Sequence, residues 1–191
     1  MEYLTLSELD RLFDIARREN EKHWQAMLTA FYFGLRVSEL TQIRGEDVQD
    51  GQLKVKRLKH SLSTLQHIPT SFPNPNFELR LTDLARAAGP RNRVFPLSRQ
   101  RCDAFIKRYG MLAGIHRTKA HMHSLKHSIA MAIWNETHSP GQIKAYLGHK
   151  SMSSTMAYLN ETESLKAQEA VENLQLTCDI PQPKPKLFAV A

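Results

Sequence analysis

The chain has 191 residues, 41% of them hydrophobic, which suits one globular domain with a sizeable core. Its formal net charge of +7 and isoelectric point near 9.5 favour a polyanionic partner over an acidic one. Two cysteines, Cys102 and Cys178, make neither a disulfide framework nor a metal-ligand spacing, no apolar run is long enough to span a bilayer, and Met1-Glu2-Tyr3 does not begin a secretory signal. A soluble, cytoplasmic protein without a membrane partner is the expectation.

Thr5-Leu6-Ser7-Glu8 reads as a capping box, and Leu4 and Leu9 are placed for a hydrophobic staple. Leu9, Leu12, Phe13 and Ala16 then share one face of a first helix. Trp24, Met27, Leu28, Phe31 and Tyr32 share the face of a second, and Gly34 is its natural stop. Arg36 follows at once between apolar neighbours, Leu35 and Val37. Such an Arg is expected to be partly buried, which requires an anion, either Glu39 or a phosphate.

After Asp50-Gly51 the period changes to two, with Leu53 and Val55 alternating with Lys54 and Lys56. Leu65-Gln66-His67-Ile68 resumes the extended pattern, so a β-hairpin with a basic tip at Arg57-Leu58-Lys59-His60 is predicted. A Lys on such a tip is ordinarily solvated, yet it can swing into a site and protonate a leaving oxygen. Pro69 to Pro75 forms a connector. Phe77, Leu81, Leu84, Ala85 and Ala88 mark a helix stopped by Gly89-Pro90. Ser98 caps the next, with Cys102, Phe105, Ile106, Tyr109 and Leu112 as its core face.

His121, His123 and His127 crowd with Lys126 around the start of a further helix, where His123 and Lys126, three apart, are expected on one face. Zinc is an alternative for clustered His. However, no Glu stands between His123 and His127 in the manner of the protease motif, no third ligand stands out, and no metal or other cofactor is expected. Ser139-Pro140 begins another helix, whose Ile143, Tyr146 and Leu147 face inward before Gly148-His149. A short Ser/Thr-rich helical segment then presents Tyr158. Its phenol, with an ordinary pKa of about 10, is a poor nucleophile without cationic help. A last helix through Leu165, Ala167, Val171 and Leu174 precedes an extended Pro/Lys tail, giving expected divisions at 1–178 and 179–191.

Four of these stretches, in order, resemble the catalytic domain of the tyrosine recombinase (phage integrase) family, over about Tyr3 to Glu172. Gly34-Leu35-Arg36-Val37-Ser38-Glu39-Leu40 resembles its first arginine box, and Arg57-Leu58-Lys59 with Leu62-Ser63-Thr64 its hairpin lysine region, as in the short fimbrial-switch-type members. His123-Ser124-Leu125-Lys126-His127-Ser128 resembles the His-x-Leu-Arg-His box, and Leu147-Gly148-His149 with Tyr158 the third box and nucleophile. The resemblance implies a mainly α fold with a small antiparallel β-hairpin or sheet, and a site-specific recombinase working through a 3′-phosphotyrosyl intermediate. Tyr158 would be the nucleophile, Lys59 the general acid, Arg36, His123, Lys126 and His149 the groups on the phosphate, and Glu39 and His127 their supports. Arg57, Lys59, His60, Lys119 and Lys150 are the expected contacts to double-stranded DNA, and Lys54 and Lys56 alternatives for the acid.

The family further implies four protomers on paired sites, with accessory DNA-bending proteins as further partners. Three features depart from it, the first being that Lys59 sits further before Pro69 than in the commoner hairpins, which leaves Lys54 and Lys56 as weaker candidates for the acid. Lys126 stands where an Arg is usual, keeping the charge but losing the planar grip on phosphate. The match also begins near Tyr3, so the family's amino-terminal DNA-clamping domain is expected to be absent, as in a short member or a piece of a longer chain. The readings set against a recombinase are a DNA-binding regulator on the same fold with weakened catalysis, and a type IB topoisomerase-like nicking enzyme.

Overall fold

A computed structural model describes residues 2–58, 61–70 and 76–156. Helix α1 spans Leu6–Glu19 and begins as its sequence requires: Thr5 Oγ1 accepts from the Glu8 N–H at 3.2 Å, and Glu8 Oε2 accepts from the Thr5 N–H at 2.8 Å. Asn20 closes α1 and caps α2, Glu21–Tyr32, where its side chain accepts from the His23 N–H at 3.0 Å. Helix α2 is buried almost throughout, from Trp24 to Phe31, so it forms the axis against which α1 and α6 pack. Gly34, at a φ of +56°, then turns the chain into the short α3, Val37–Leu40.

The small sheet has three antiparallel strands, β1 Val48–Gln49, β2 Gln52–Val55 and β3 Thr64–His67, in the order β1-β2-β3. The predicted hairpin is β2–β3. Strand β1 adds to it through a tight turn in which Asp50 and Gly51 both take positive φ, 50° and 70°. Register decides which side chains enter the protein. Leu53 faces Gln66 and Val55 faces Thr64, so the inner face carries Leu53, Val55 and Gln66 while Lys54 and Leu65 face out.

Helix α4, Phe77–Ala88, buries Phe77, Leu81 and Ala85. Helix α5, Arg99–Leu112, is capped by Ser98 Oγ and buries Cys102, Phe105, Ile106 and Tyr109. Leu112, expected in that core face, is instead 50% exposed. It is the last residue of α5, and the spacing that aligns it with Tyr109 carries it beyond the edge of the packed surface. Helix α6, Met122–Thr137, α7, Pro140–Leu147, and α8, Ser153–Met156, complete the order. A main core gathers α1 to α5 and the start of α6, and a smaller cluster joins Ala130, Met131 and Trp134 of α6 to Ile143 and Leu147 of α7. All described residues belong to one compact unit, Met1–Leu159. Among the described residues no helix is long and apolar enough to cross a membrane.

Candidate active site

The site is assembled where the carboxyl ends of α2 and α7 meet the outer end of β2. Arg36, just past Gly34, folds back on the acidic residue of its own turn. Its backbone N–H donates to Glu39 Oε2 at 2.8 Å and its Nη1 to Glu39 Oε1 at 2.7 Å, with a longer bond to the Leu58 carbonyl at 3.4 Å. The Glu39 side chain has no exposed surface, while that of Arg36 keeps 22%. Burial by itself would raise the Glu39 pKa. The N–H groups of Leu58 and Arg36, and the charges of Lys126 and Arg36, outweigh it and hold the carboxyl below its ordinary value.

Arg57, expected on the basic hairpin tip among the contacts to DNA, does not face solvent. Its side chain is wholly buried. Nη1 donates to the Gly34 carbonyl at 2.8 Å and Nη2 to the Phe33 carbonyl at 2.8 Å, the Tyr146 carbonyl at 3.1 Å and Gln66 Oε1 at 3.3 Å. Nε donates to Thr64 Oγ1 at 3.3 Å, and Glu39 Oε2 lies 3.5 Å from Nη1. The signal for this burial was in the alternation: Leu53, Val55 and Arg57 share one parity, and all three are buried. Lys54 and Lys56 have the other parity, and Lys56 pairs with Asp47 at 2.9 Å.

Helix α6 is capped by His121, whose Nδ1 lies 3.2 Å from the Ser124 N–H as its acceptor. His123 and Lys126, three apart on α6, differ in burial. His123 is exposed, with its ring edge-on to that of His127, 4.3 Å between centroids. Lys126 follows Met122 by four and precedes Ile129 by three, so it falls on the apolar stripe and is fully buried. Its Nζ has no hydrogen-bond acceptor among the described residues. Burial, then the positive charges of Arg36 and Arg57, opposed only by Glu39, press its pKa down to about 7. His127 is pushed down to about 3, by burial first and then by His123, His121 and Lys126. A cleft of about 670 Å³ opens beside these groups, lined by Arg36, Ser38, Arg99, His121 and His123 among others.

Gly148 ends α7 at a φ of +68°, where a side chain would strike the Leu62 carbonyl. Its own carbonyl accepts from the Leu62 N–H at 2.8 Å, which fastens the returning arm of the hairpin to the site. His149 follows, buried, with Nδ1 3.1 Å from Thr155 Oγ1 on α8. Burial, then the charges of Lys126, Arg36 and Arg57, lower its pKa to about 4, so the ring is neutral at pH 7. Thr155 was not singled out from sequence as its partner; its place one turn into the segment after His149 was the available signal. Of the other expected DNA contacts, Lys150 is exposed, and Lys119 is half-buried and pairs with Glu8 at 3.1 Å. Lys59, His60 and Tyr158, and the helix and tail predicted after it, lie outside the described residues. Among the described residues no group of three His, Cys, Asp or Glu could hold a metal ion.

The chain that carries this site is similar to known proteins. Residues 2–164 match the model of the phage integrase family, and the chain belongs to that family. Among curated relatives, tyrosine recombinase XerA of Thermococcus kodakarensis is 29% identical over 184 residues, covering 90% of this chain and 63% of that protein. Type 1 fimbriae regulatory protein FimB of Escherichia coli K12 is 29% identical over 177 residues, 82% of each chain. Among solved structures, XerH recombinase bound to its palindromic difH substrate in a post-cleavage complex aligns with a TM-score of 0.69 at 18% identity, over 90% of this chain and 52% of that one. The fold is that of tyrosine recombinase catalytic domains. The chain spans less than two thirds of the length of XerA.

Proposed function

We propose that the chain is the catalytic part of a site-specific recombinase that cuts and rejoins double-stranded DNA by transesterification. The observation that carries this reading is Lys126: a wholly buried ammonium without an acceptor among the described residues, within electrostatic reach of Arg36, Arg57, Glu39 and His149. A buried cation requires an anion. The local carboxylate, Glu39, is already shared between Arg36 and the Leu58 N–H, and two guanidiniums outnumber it. A phosphate oxygen supplies what the protein does not, and the relatives' names and the DNA-bound XerH structure support DNA as its source.

In this reading Arg36, Lys126 and His149 hold the non-bridging oxygens of the scissile phosphate. With Thr155 donating to Nδ1, neutral His149 carries its proton on Nε2 and acts as a donor. The Tyr158 oxygen attacks phosphorus, its proton passing towards exposed His123, and the bond to the 5′-oxygen breaks as Lys59 protonates it. The product is a 3′-phosphotyrosyl link and a free 5′-hydroxyl. A 5′-hydroxyl from a second duplex reverses the step, so the phosphodiester energy is retained and the reaction needs neither ATP nor metal. Four protomers on two paired sites in the bacterial cytoplasm, with DNA-bending accessory proteins, complete the proposal.

The test is covalent trapping on suicide DNA substrates drawn from the flanks of the gene. Wild type is expected to give a DNA-linked band on a denaturing gel, and Tyr158→Phe to bind DNA yet give none. An equal band from the variant, or no band from a wild type that still shifts DNA, would refute the reading.

A further inference from the structure

We infer that Arg57 is a positioning residue of this site: it reaches no DNA, and it fixes Arg36, Glu39 and His149 relative to one another. The inference rests on the transesterification reading for its chemistry, but its geometry stands alone. A guanidinium has five N–H donors in a rigid plane. Those of Arg57 are directed at the carbonyls of Phe33 and Gly34, at the carbonyl of Tyr146, and at Gln66 and Thr64 on β3. Phe33 and Gly34 close α2, and Tyr146 is in the last turn of α7, so one buried cation lies at the negative ends of two helices.

Two of the phosphate-holding groups, Arg36 and His149, hang from these anchored points. Arg36 is two residues beyond Gly34, and His149 is three beyond Tyr146. Glu39, which orients Arg36, is 3.5 Å from the Arg57 guanidinium and accepts from the N–H of the next residue, Leu58. Two further features support a clamp rather than a passive filler. Gln66 Nε2 donates to the same Tyr146 carbonyl at 3.0 Å, so the α7 end is held twice, by Arg57 and by Gln66 of β3. A Cβ on Gly148 would lie 3.3 Å from Arg57 Cγ, so the stem of the Arg occupies the space that the glycine leaves. Without exposed surface, the guanidinium cannot meet a phosphate without breaking these bonds.

The test variant is Arg57→Lys, which keeps the charge and loses the fork. DNA affinity and its salt slope, single-turnover formation of the Tyr158 adduct at saturating DNA, and the His149 titration by NMR without DNA are measured. The expected result is affinity within about threefold and an unchanged salt slope, with an adduct rate lower by about 100-fold, the scale of a 1 Å misplacement. The His149 midpoint should rise by about half a pH unit or more as the α7 end loosens. A weaker complex with a shallower salt slope would overturn the inference by showing that Arg57 touches phosphate. An unchanged adduct rate with an unmoved His149 would overturn it by leaving Arg57 a mere brace of the fold. If wild type forms no adduct, the recombinase reading fails, and the His149 titration still decides the positioning role. Should Arg57→Lys not fold, Gln66→Met, which removes one partner of Arg57 and one donor to Tyr146, is read by the same three measurements with the same directions.

Discussion

Arg57 and Lys126 are two wholly buried cations of one pocket, and the chain treats them in opposite ways. Arg57 is met by three backbone carbonyls, two side-chain oxygens and a carboxylate, whereas Lys126 has no acceptor among the described residues. Both are basic side chains out of solvent; the number of acceptors differs. A cation surrounded by its own chain's oxygens is part of the scaffold, and one without them among the described residues fits the proposed role of meeting an outside anion.

The contrast is most easily broken by removing each charge in turn. Arg57→Leu strands the Gly34 and Phe33 carbonyls and leaves Glu39 short of a counter-charge, so it should lower unfolding free energy by about 4 kcal/mol in chemical denaturation. A loss below about 1 kcal/mol would show that the carbonyls find other donors. Lys126→Met should do the reverse for stability, adding about 1–2 kcal/mol, while abolishing adduct formation. The sign with pH follows from a native pKa depressed to about 7 against about 10.5 unfolded. The unfolded chain holds the extra proton between these values, so the penalty is full below pH 7 and is relieved as pH rises. The gain from Lys126→Met should therefore be largest below pH 7 and fade towards pH 10.5; a constant gain would refute the charge as its cause.

Smaller effects sharpen the same picture. His149 and His127 have native pKa values of about 4 and about 3, below the ordinary value of 6.5. Stability should be fully present above pH 6.5 and lost as pH falls through the window down to about 4, a loss visible as a falling Tm in thermal scans. Thr155→Val should leave the fold intact and slow adduct formation by about tenfold, since His149 loses the partner that sets its tautomer. An unaffected rate would remove Thr155 from the site.

Much of this was legible in the residues, but not evenly. The capping box at Thr5–Glu8 and the stop at Gly34 depend on local chemistry and appear where the pattern puts them. The Arg36–Glu39 pair is a matter of three residues on one turn, and it too is local. The fate of Arg57 was readable from the alternation of β2 carried two residues further, yet a basic tripeptide drew it outwards to DNA. Lys126 shows the limit from the other side. Its position on the apolar stripe of α6 was visible, but the lack of an acceptor depends on what α3 and the hairpin deliver across more than 60 residues of chain. Strand β1 has two residues, too few for any periodicity, and exists because Asp50-Gly51 reverses the chain.

The carbonyl acceptors of Arg57 lie 23, 24 and 89 residues away along the chain. During synthesis the α2 end and the hairpin leave the ribosome long before α7. A nascent chain thus carries a guanidinium that cannot be fully enclosed, and a His149 not yet made, until the Tyr146 carbonyl arrives. The geometry proposed to hold phosphate closes only once α7 has emerged, and a chain interrupted before α7 has no means of completing it.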